Sequence, residues 1–275
     1  MAGPVSLATR DGVAVATIDA PPMNLLGMEL LPALAAAFER VEGDDAAKVL
    51  VLRSANPDFF IAHGDVASIV AMPEGEGEPA LAPEPSWVHA TLDRLRTMPK
   101  VTIAQFEVYP RGGGTEVPLA CDMRFAARGR AVFGQPEIGL GILPGAGGTV
   151  RLTRLLGRAR AAEVIFGGDD VTAEEAERLG WINRALAPAE LGPFVDALAR
   201  RIARFPLASI AEIKGTMAEV ERGLPDELRR EQLGFDRCMA RPEPRVLMQR
   251  FLDRGMQTPE GERALGAALA TLADD

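Results

Sequence analysis

The chain has 275 residues, 47% of them hydrophobic and 25% charged, enough to bury a sizeable core as one large domain or as a domain with an extension. A formal net charge of −9 at pH 7 argues against a nucleic-acid partner, which needs clustered Lys and Arg, but not against a phosphorylated ligand held by a few local amides. Cys121, Cys238, His63 and His89 are too few for a disulfide framework or a Cys/His metal centre, so no metal is expected. Met1-Ala2-Gly3-Pro4 does not read as a signal peptide, and no apolar run approaches the roughly 20 residues that span a bilayer. No membrane partner is expected, and the location expected is cytoplasmic.

In chain order, Val5 to Thr9 and Val13 to Ile18 flank Asp11-Gly12, a hairpin signal. Met28 to Val41 carries Leu30, Leu31, Leu34, Ala37 and Phe38 at helical spacing. Val49 to Leu52 and Val101 to Phe106 read as buried strands, and alternating strands and helices predict an α/β fold. Between them, Met72 to Pro85 is rich in Pro, Gly and Glu and reads as a solvated loop, compatible with a lid over a ligand. From about Leu186 the pattern is helical, over Ala189 to Arg204, Leu207 to Arg222, Asp226 to Ala240, Arg245 to Arg254 and Pro259 to Leu272. Arg, Leu and Met in the last three suit packing against a neighbouring subunit.

Three segments carry chemistry. The first is Phe59-Phe-Ile-Ala-His-Gly-Asp-Val66, with Asp65 placed to cap a helix from Val66. The second is Arg111-Gly-Gly-Gly-Thr-Glu116, continuing Val-Pro-Leu-Ala-Cys121-Asp122. The third is Phe133-Gly-Gln-Pro-Glu137, followed by Pro144-Gly-Ala-Gly-Gly-Thr149. Each alone has a bland reading as a turn or a solvated charge. The Gly145 to Thr149 run lacks the Lys-Ser/Thr of a P-loop and the spacing of a dinucleotide site.

Together, in this order, they resemble the signature segments of the crotonase (enoyl-CoA hydratase/isomerase) family: Phe-x-Ala-Gly-x-Asp, Gly-Gly-Gly-x-Glu-Leu-Ala-x-x-Cys-Asp, and Phe-Gly-x-Pro-Glu with Pro-Gly-x-Gly-Gly-Thr. The likeness runs on through Arg151-Leu-Thr-Arg154, Glu163 and Gly167 to Ala176, towards a strand at Gly180-Trp181-Ile182, and covers about residues 10 to 205. It implies a spiral of strand-strand-helix turns over residues 1–205. A C-terminal helical region, 206–275, would build a homotrimer or dimer of trimers and cover the active site. The substrate implied is an acyl-CoA, with coenzyme A entering as part of it and no separate cofactor.

Chemistry α,β to a thioester needs the enolate oxygen stabilised, and two backbone amides can do this without reorganising. By the resemblance these are the amides of Ala62 and Gly113. Glu116 then acts as base on the water attacking Cβ, and Glu137 supplies the proton to Cα. Met23, Leu25, Ala62, Gly64, Asp65 and Val66 are the expected CoA contacts. Hydration of a 2-enoyl-CoA to a 3-hydroxyacyl-CoA is the preferred activity. Isomerisation, which uses only the Glu137 position, is the alternative, with decarboxylation or thioester hydrolysis beside it; a non-catalytic acyl-CoA-binding subunit is the reading from another class.

The sequence departs from the pattern in places. His63 stands where glycine is usual and reads first as a loop histidine facing solvent, the alternative being a polar group near the thioester able to titrate near pH 7. Glu107-Val108 replaces Asn-Gly, and Glu107 reads as an exposed strand end, the alternative being a third carboxylate near the pocket. Pro118 falls early in the helix after the glycine run, predicting a late start or a kink.

Overall fold

A computed structural model describes residues 3–73 and 77–274. Glu74, Gly75 and Glu76, at the centre of the expected acidic loop, lie outside the described residues. The first hairpin pairs β1 (Val5–Arg10) with β2 (Val13–Ile18), Arg10 opposite Val13. Asp11 and Gly12 both take positive φ, 50° and 80°, as a two-residue turn matched to strand twist requires. Next come α1 (Leu30–Glu42), β3 (Val49–Ser54), β4 (Phe59–Ile61), α2 (Val66–Val70), α3 (Trp87–Thr97), β5 (Val101–Phe106) and β6 (Tyr109–Pro110). They are followed by α4 (Gly113–Leu119), β7 (Met123–Ala127), β8 (Val132–Phe133), a 3-10 turn at Pro136–Leu140, α5 (Gly148–Leu156) and α6 (Arg158–Gly167). The sheets close with β9 (Val171–Thr172), α7 (Ala173–Leu179) and β10 (Arg184–Leu186). The expected strand at Gly180-Trp181-Ile182 starts later, at Arg184, because the chain is still turning off α7 there.

Six strands form one sheet in the order β1-β2-β3-β5-β7-β10, antiparallel at the first pair and parallel elsewhere. Short strands β4 and β6 pair in a second layer, so successive turns of the chain place one strand in the main sheet and one beside it. Both faces of the main sheet are covered, and the uninterrupted Val49-Leu-Val-Leu52 run reflects this. Leu50 and Leu52 face Phe38, Phe60 and Phe106 in the larger core, whereas Val49, Val51, Ile103 and Phe125 pack on α8 (Pro188–Ala203) through Leu191, Val195 and Ala199. Each such side chain contributes about 1.5–3 kcal/mol by leaving water.

The remaining chain is helical: α9 (Leu207–Val220), α10 (Leu224–Met239), α11 (Pro242–Asp253), α12 (Pro259–Arg263) and α13 (Leu265–Ala270). The single helix expected over Pro259 to Leu272 breaks at Ala264, in a stretch weakened by Gly261 and Gly266. From α11 to α13, Met248, Phe251, Met256 and Leu265 join Val66, Leu140 and Ile142 in a cluster beside the site. Arg229 of α10 donates to the carbonyls of Ala82 and Pro83, and Arg245 of α11 to those of Val70 and Met72, so α10 and α11 hold both flanks of the acidic loop.

Candidate active site

A cavity of about 490 Å³ opens between the first turns of the spiral and helices α10, α11 and α13. Its walls are mostly apolar, with Val66, Ile69, Ile142, Phe235, Phe251 and Leu265 among them. Gly64, Gly113, Glu116 and Glu137 all line it.

The glycine run allows this convergence. Gly112 has φ 46°, and a Cβ there would lie 2.6 Å from Glu137 Oε1, in the space the carboxylate occupies. At Gly114 a Cβ would stand 2.0 Å from the Ile61 carbonyl oxygen, so only glycine lets α4 approach β4 this closely. That approach brings the first amide of α4, on Gly113, next to the amide of Gly64: a Cβ on Gly113 would be 3.4 Å from Gly64 N. Helix α4 starts at Gly113 and not late. Pro118 sits in its last turn, and the helix ends one residue later at Leu119. The buried guanidinium of Arg124 then takes the carbonyls of Pro118 and Cys121 at 3.3 and 2.7 Å, satisfying that end. The proline therefore leaves the start of the helix, and Gly113 with it, undisturbed.

The expected amide pair needs correction at one member. Ala62 N–H donates to the Met23 carbonyl at 3.1 Å and is not free. Gly64, two residues on, carries the amide that faces Gly113. Around Gly64 the Leu26 N–H donates to the His63 carbonyl at 2.9 Å and Asp65 N–H to the Leu26 carbonyl at 3.0 Å, while Gly64 N–H has no acceptor among the described residues.

Among the expected ligand contacts, Gly64, Asp65 and Val66 line the cavity. Met23 and Ala62 do not: they are fully buried against Phe59 in a small cluster on which Leu25 packs. Leu26 is the residue of that loop that reaches the wall. Asn24 fixes the loop, donating to Ser54 Oγ and the Phe60 carbonyl at 2.8 Å each and accepting from Ala20 N–H at 2.7 Å. Asp65 stands at the N-cap of α2 as expected, but its side chain makes no capping bond; the carboxylate is held instead by the Ser68 hydroxyl and the Gln257 amide.

Glu116 is almost fully buried, and one oxygen, Oε1, accepts from the amides of Ala146 and Gly148 at 2.7 and 2.8 Å. Burial, with the charge of Glu231, pushes its carboxyl up to about 8 against the pull of those two amides. Glu137 stands at the 3-10 turn and is raised well above the ordinary carboxylate range by burial and then by the charge of Glu116. Its neighbour Gln135 spans Thr115 and Glu137. With its nitrogen towards Glu137 the amide donates to Oε2 at 2.9 Å and accepts from the Thr115 hydroxyl at 2.6 Å. Turned over, it donates to Thr115 Oγ1 at 2.6 Å. The first orientation suits an ionised Glu137, the second a neutral one that can itself donate. The two carboxyls thus share a poorly solvated, apolar-walled site that disfavours two charges.

Glu231 and His89 had no signal in the sequence as site residues. Glu231 of α10 accepts from Gly147 N–H and Val150 N–H at 2.6 and 2.8 Å, pinning the loop whose other amides hold Glu116; His89 Nε2 lies 3.2 Å from it. In the sequence Glu231 is one charge on an amphipathic helix. His63 is buried and hydrogen-bonded, not solvent-facing, because the C-terminal α12 covers it. Glu107 is half-buried, accepts from Gln105 Nε2 at 3.0 Å and does not reach the cavity. Among the described residues no cluster of His, Cys, Asp and Glu could hold a metal ion, and no helix is long and apolar enough to cross a membrane.

Comparison with known proteins agrees with this layout. Residues 8–260 match the enoyl-CoA hydratase/isomerase family. A short-chain-enoyl-CoA hydratase of Clostridium acetobutylicum is 31% identical, the match covering 91% of this chain and 95% of the relative. A crotonyl-CoA hydratase of Syntrophomonas wolfei is 32% identical over the same shares, 91% and 95%. Among solved structures, a candidate enoyl-CoA hydratase from Streptomyces avermitilis superposes with a TM-score of 0.89 at 36% identity, covering 98% of both chains. The fold is the crotonase spiral, and the chain belongs to the enoyl-CoA hydratase/isomerase family.

Proposed function

We propose that this acyl-CoA enzyme adds water across the double bond of a 2-enoyl-CoA to give a 3-hydroxyacyl-CoA. The observation that carries the reading is the convergence, in one apolar cavity, of the buried Glu116 and half-buried Glu137 carboxyls, both of raised proton affinity, with the amides of Gly64 and Gly113. Those amides would hold the thioester oxygen as it gains negative charge, a role in which losing one donor costs on the order of 100- to 1,000-fold in rate.

The chemistry needs the form of the carboxyl pair that carries one proton, which fills as pH rises towards about 8, where Glu116 ionises, and the protein decides where that proton sits. Glu116 has two backbone N–H donors on Oε1, which favour its anion, and its other oxygen is left to take a proton from water. Glu137 has no such pair and is the member that keeps its proton. As water attacks Cβ, Glu116 accepts a water proton, the enolate charge rests on the oxygen facing Gly64 and Gly113, and Glu137 protonates Cα. The relatives called short-chain-enoyl-CoA and crotonyl-CoA hydratases support the same direction.

An assembly of three or six subunits and a cytoplasmic location belong to the same proposal. Ile213, Met217 and Val220 leave an apolar face of α9 exposed, which supports association, and two unpaired thiols, Cys121 and Cys238, suit a reducing compartment.

The test is a spectrophotometric screen of 2-enoyl-CoAs of graded length, with Glu116→Gln and Glu137→Gln beside the parent. Hydration should fall about 100- to 10,000-fold in each variant, the usual contribution of a general acid or base. Near-parent hydration in the Glu116 variant would sink the reading. Shift of a 3-enoyl double bond without hydration by the parent would replace it with isomerisation, and binding of acyl-CoA without turnover of any enoyl-CoA would make the chain a binding subunit.

A further inference from the structure

His63 and Glu262 are 199 residues apart, almost fully buried, and in contact inside the site. The imidazole makes two hydrogen bonds, Nδ1 to the Gly64 carbonyl at 2.6 Å and Nε2 to Glu262 Oε1 at 2.8 Å. A carbonyl oxygen can only accept, so Nδ1 carries a proton.

The consequence falls on Gly64. Two peptide groups flank its Cα and together present four polar groups. Leu26 N–H takes the His63 carbonyl, Leu26 O takes the Asp65 amide, and His63 Nδ1–H takes the Gly64 carbonyl. The fourth group, Gly64 N–H, is the one left facing Gly113. Glycine has no Cβ to restrict φ and ψ, so its amide is aimed only as well as its neighbouring peptides are held.

Glu262 also touches the segment that leads to the second amide. Its backbone carbonyl accepts from Arg111 Nη1 at 3.0 Å, and Arg111, two residues before Gly113, is clamped by Asp170 through two bonds of 2.6 and 2.7 Å. One residue of α12 thus touches both chain segments that carry the free amides.

We propose that His63 is a positioning residue for the thioester-oxygen site: anchored by Glu262, its Nδ1–H locks the Gly64 peptide so that the Gly64 amide stays aimed with that of Gly113. The proposal rests on the hydratase reading only in assigning those amides to a thioester oxygen. Burial opposes a charge on the imidazole, yet Glu262 and the Gly64 carbonyl outweigh it and the nearby Arg111, so His63 holds its protons more tightly than an ordinary histidine. Beside it stand the edge of Phe251 and, across Gly112, the Glu137 carboxyl.

The experiment compares His63→Gln with His63→Asn. Asparagine can place a donor near Nδ1 and keep the bond to Gly64, whereas glutamine reaches Glu262 and abandons it. A 3-aryl-2-enoyl-CoA, whose absorption moves to longer wavelength when its thioester oxygen is hydrogen-bonded, reports the aim of the amides without turnover. His63→Gln should lose most of that shift and about 10- to 100-fold in kcat with KM within about twofold, and His63→Asn should keep most of both. Equal losses in the two variants, or a parent-like shift in His63→Gln, would overturn the proposal. Histidine-15N NMR of the parent, which has only two histidines, judges it without any variant. Nδ1 of His63 should be protonated at pH 8, and a bare Nδ1 refutes the lock. A parent that shifts the chromophore but hydrates nothing overturns the hydratase reading alone, and the Gln/Asn comparison of the shift still decides the lock.

Discussion

Replacing Glu116 by Gln should stabilise the protein while stopping the chemistry. In the unfolded chain this carboxyl ionises near 4.5, and in the native site it does so only near about 8. Between those values the unfolded state has released a proton that the native state still holds, so the native state loses ground as pH rises. The penalty is absent below pH 4.5 and complete above pH 8. At about 1.4 kcal/mol per tenfold change in proton affinity it reaches about 4 kcal/mol at pH 8. Glutamine escapes it without losing the two hydrogen bonds, because Ala146 and Gly148 both donate to the same oxygen, Oε1, which an amide oxygen can replace. Urea melts at pH 5 and pH 8, followed by the fluorescence of the buried Trp181, measure the difference. The variant should exceed the parent by less than about 1 kcal/mol at pH 5 and by about 4 kcal/mol at pH 8, or roughly 10 °C in Tm. A gap that does not widen with pH, or a variant less stable than the parent at pH 8, would refute the account of Glu116 as a buried, destabilised carboxyl.

Two further outcomes follow from the same geometry. Glu231→Gln removes the charge that helps raise Glu116, so the rise of kcat/KM with pH should move to lower pH, and an unmoved profile would show that burial alone sets that limb. Gly114→Ala drives a Cβ to 2.0 Å from the Ile61 carbonyl and should cost about 3 kcal/mol or more, read as loss of soluble protein or a collapsed melting curve. Gly167→Ala, with nothing within 4 Å, is the control that should melt like the parent.

Much of the molecule was legible beforehand. The hairpin at Asp11-Gly12, the buried strands read at Val49 to Leu52 and Val101 to Phe106 and the helical C-terminal part follow from period, turn chemistry and propensity, which are local properties. The three signature segments named the family and placed Gly113, Glu116 and Glu137 together, because residues needed within a few ångströms of one reacting group come in an order fixed by the spiral. The same local logic mistook Pro118 for a threat: whether a proline harms a helix depends on where that helix ends, and Arg124, folded back from β7, supplies the donors that let it end at Leu119.

What the sequence by itself determined is the first hairpin, the helix after it, the strands at Val49 and Val101, the helical C-terminal part and the segments that carry Gly113, Glu116 and Glu137. Only the tertiary structure decided which amide is free: the resemblance pointed to Ala62, but the Met23 carbonyl takes the Ala62 N–H and leaves that of Gly64. It alone turned His63 inward and matched it to Glu262, and it alone put Glu231 behind Glu116. The reason is physical. A hydrogen bond or a charge interaction between residues 100 or 200 positions apart leaves no periodicity in the chain, and whether a titratable group is desolvated depends on what the rest of the molecule lays over it.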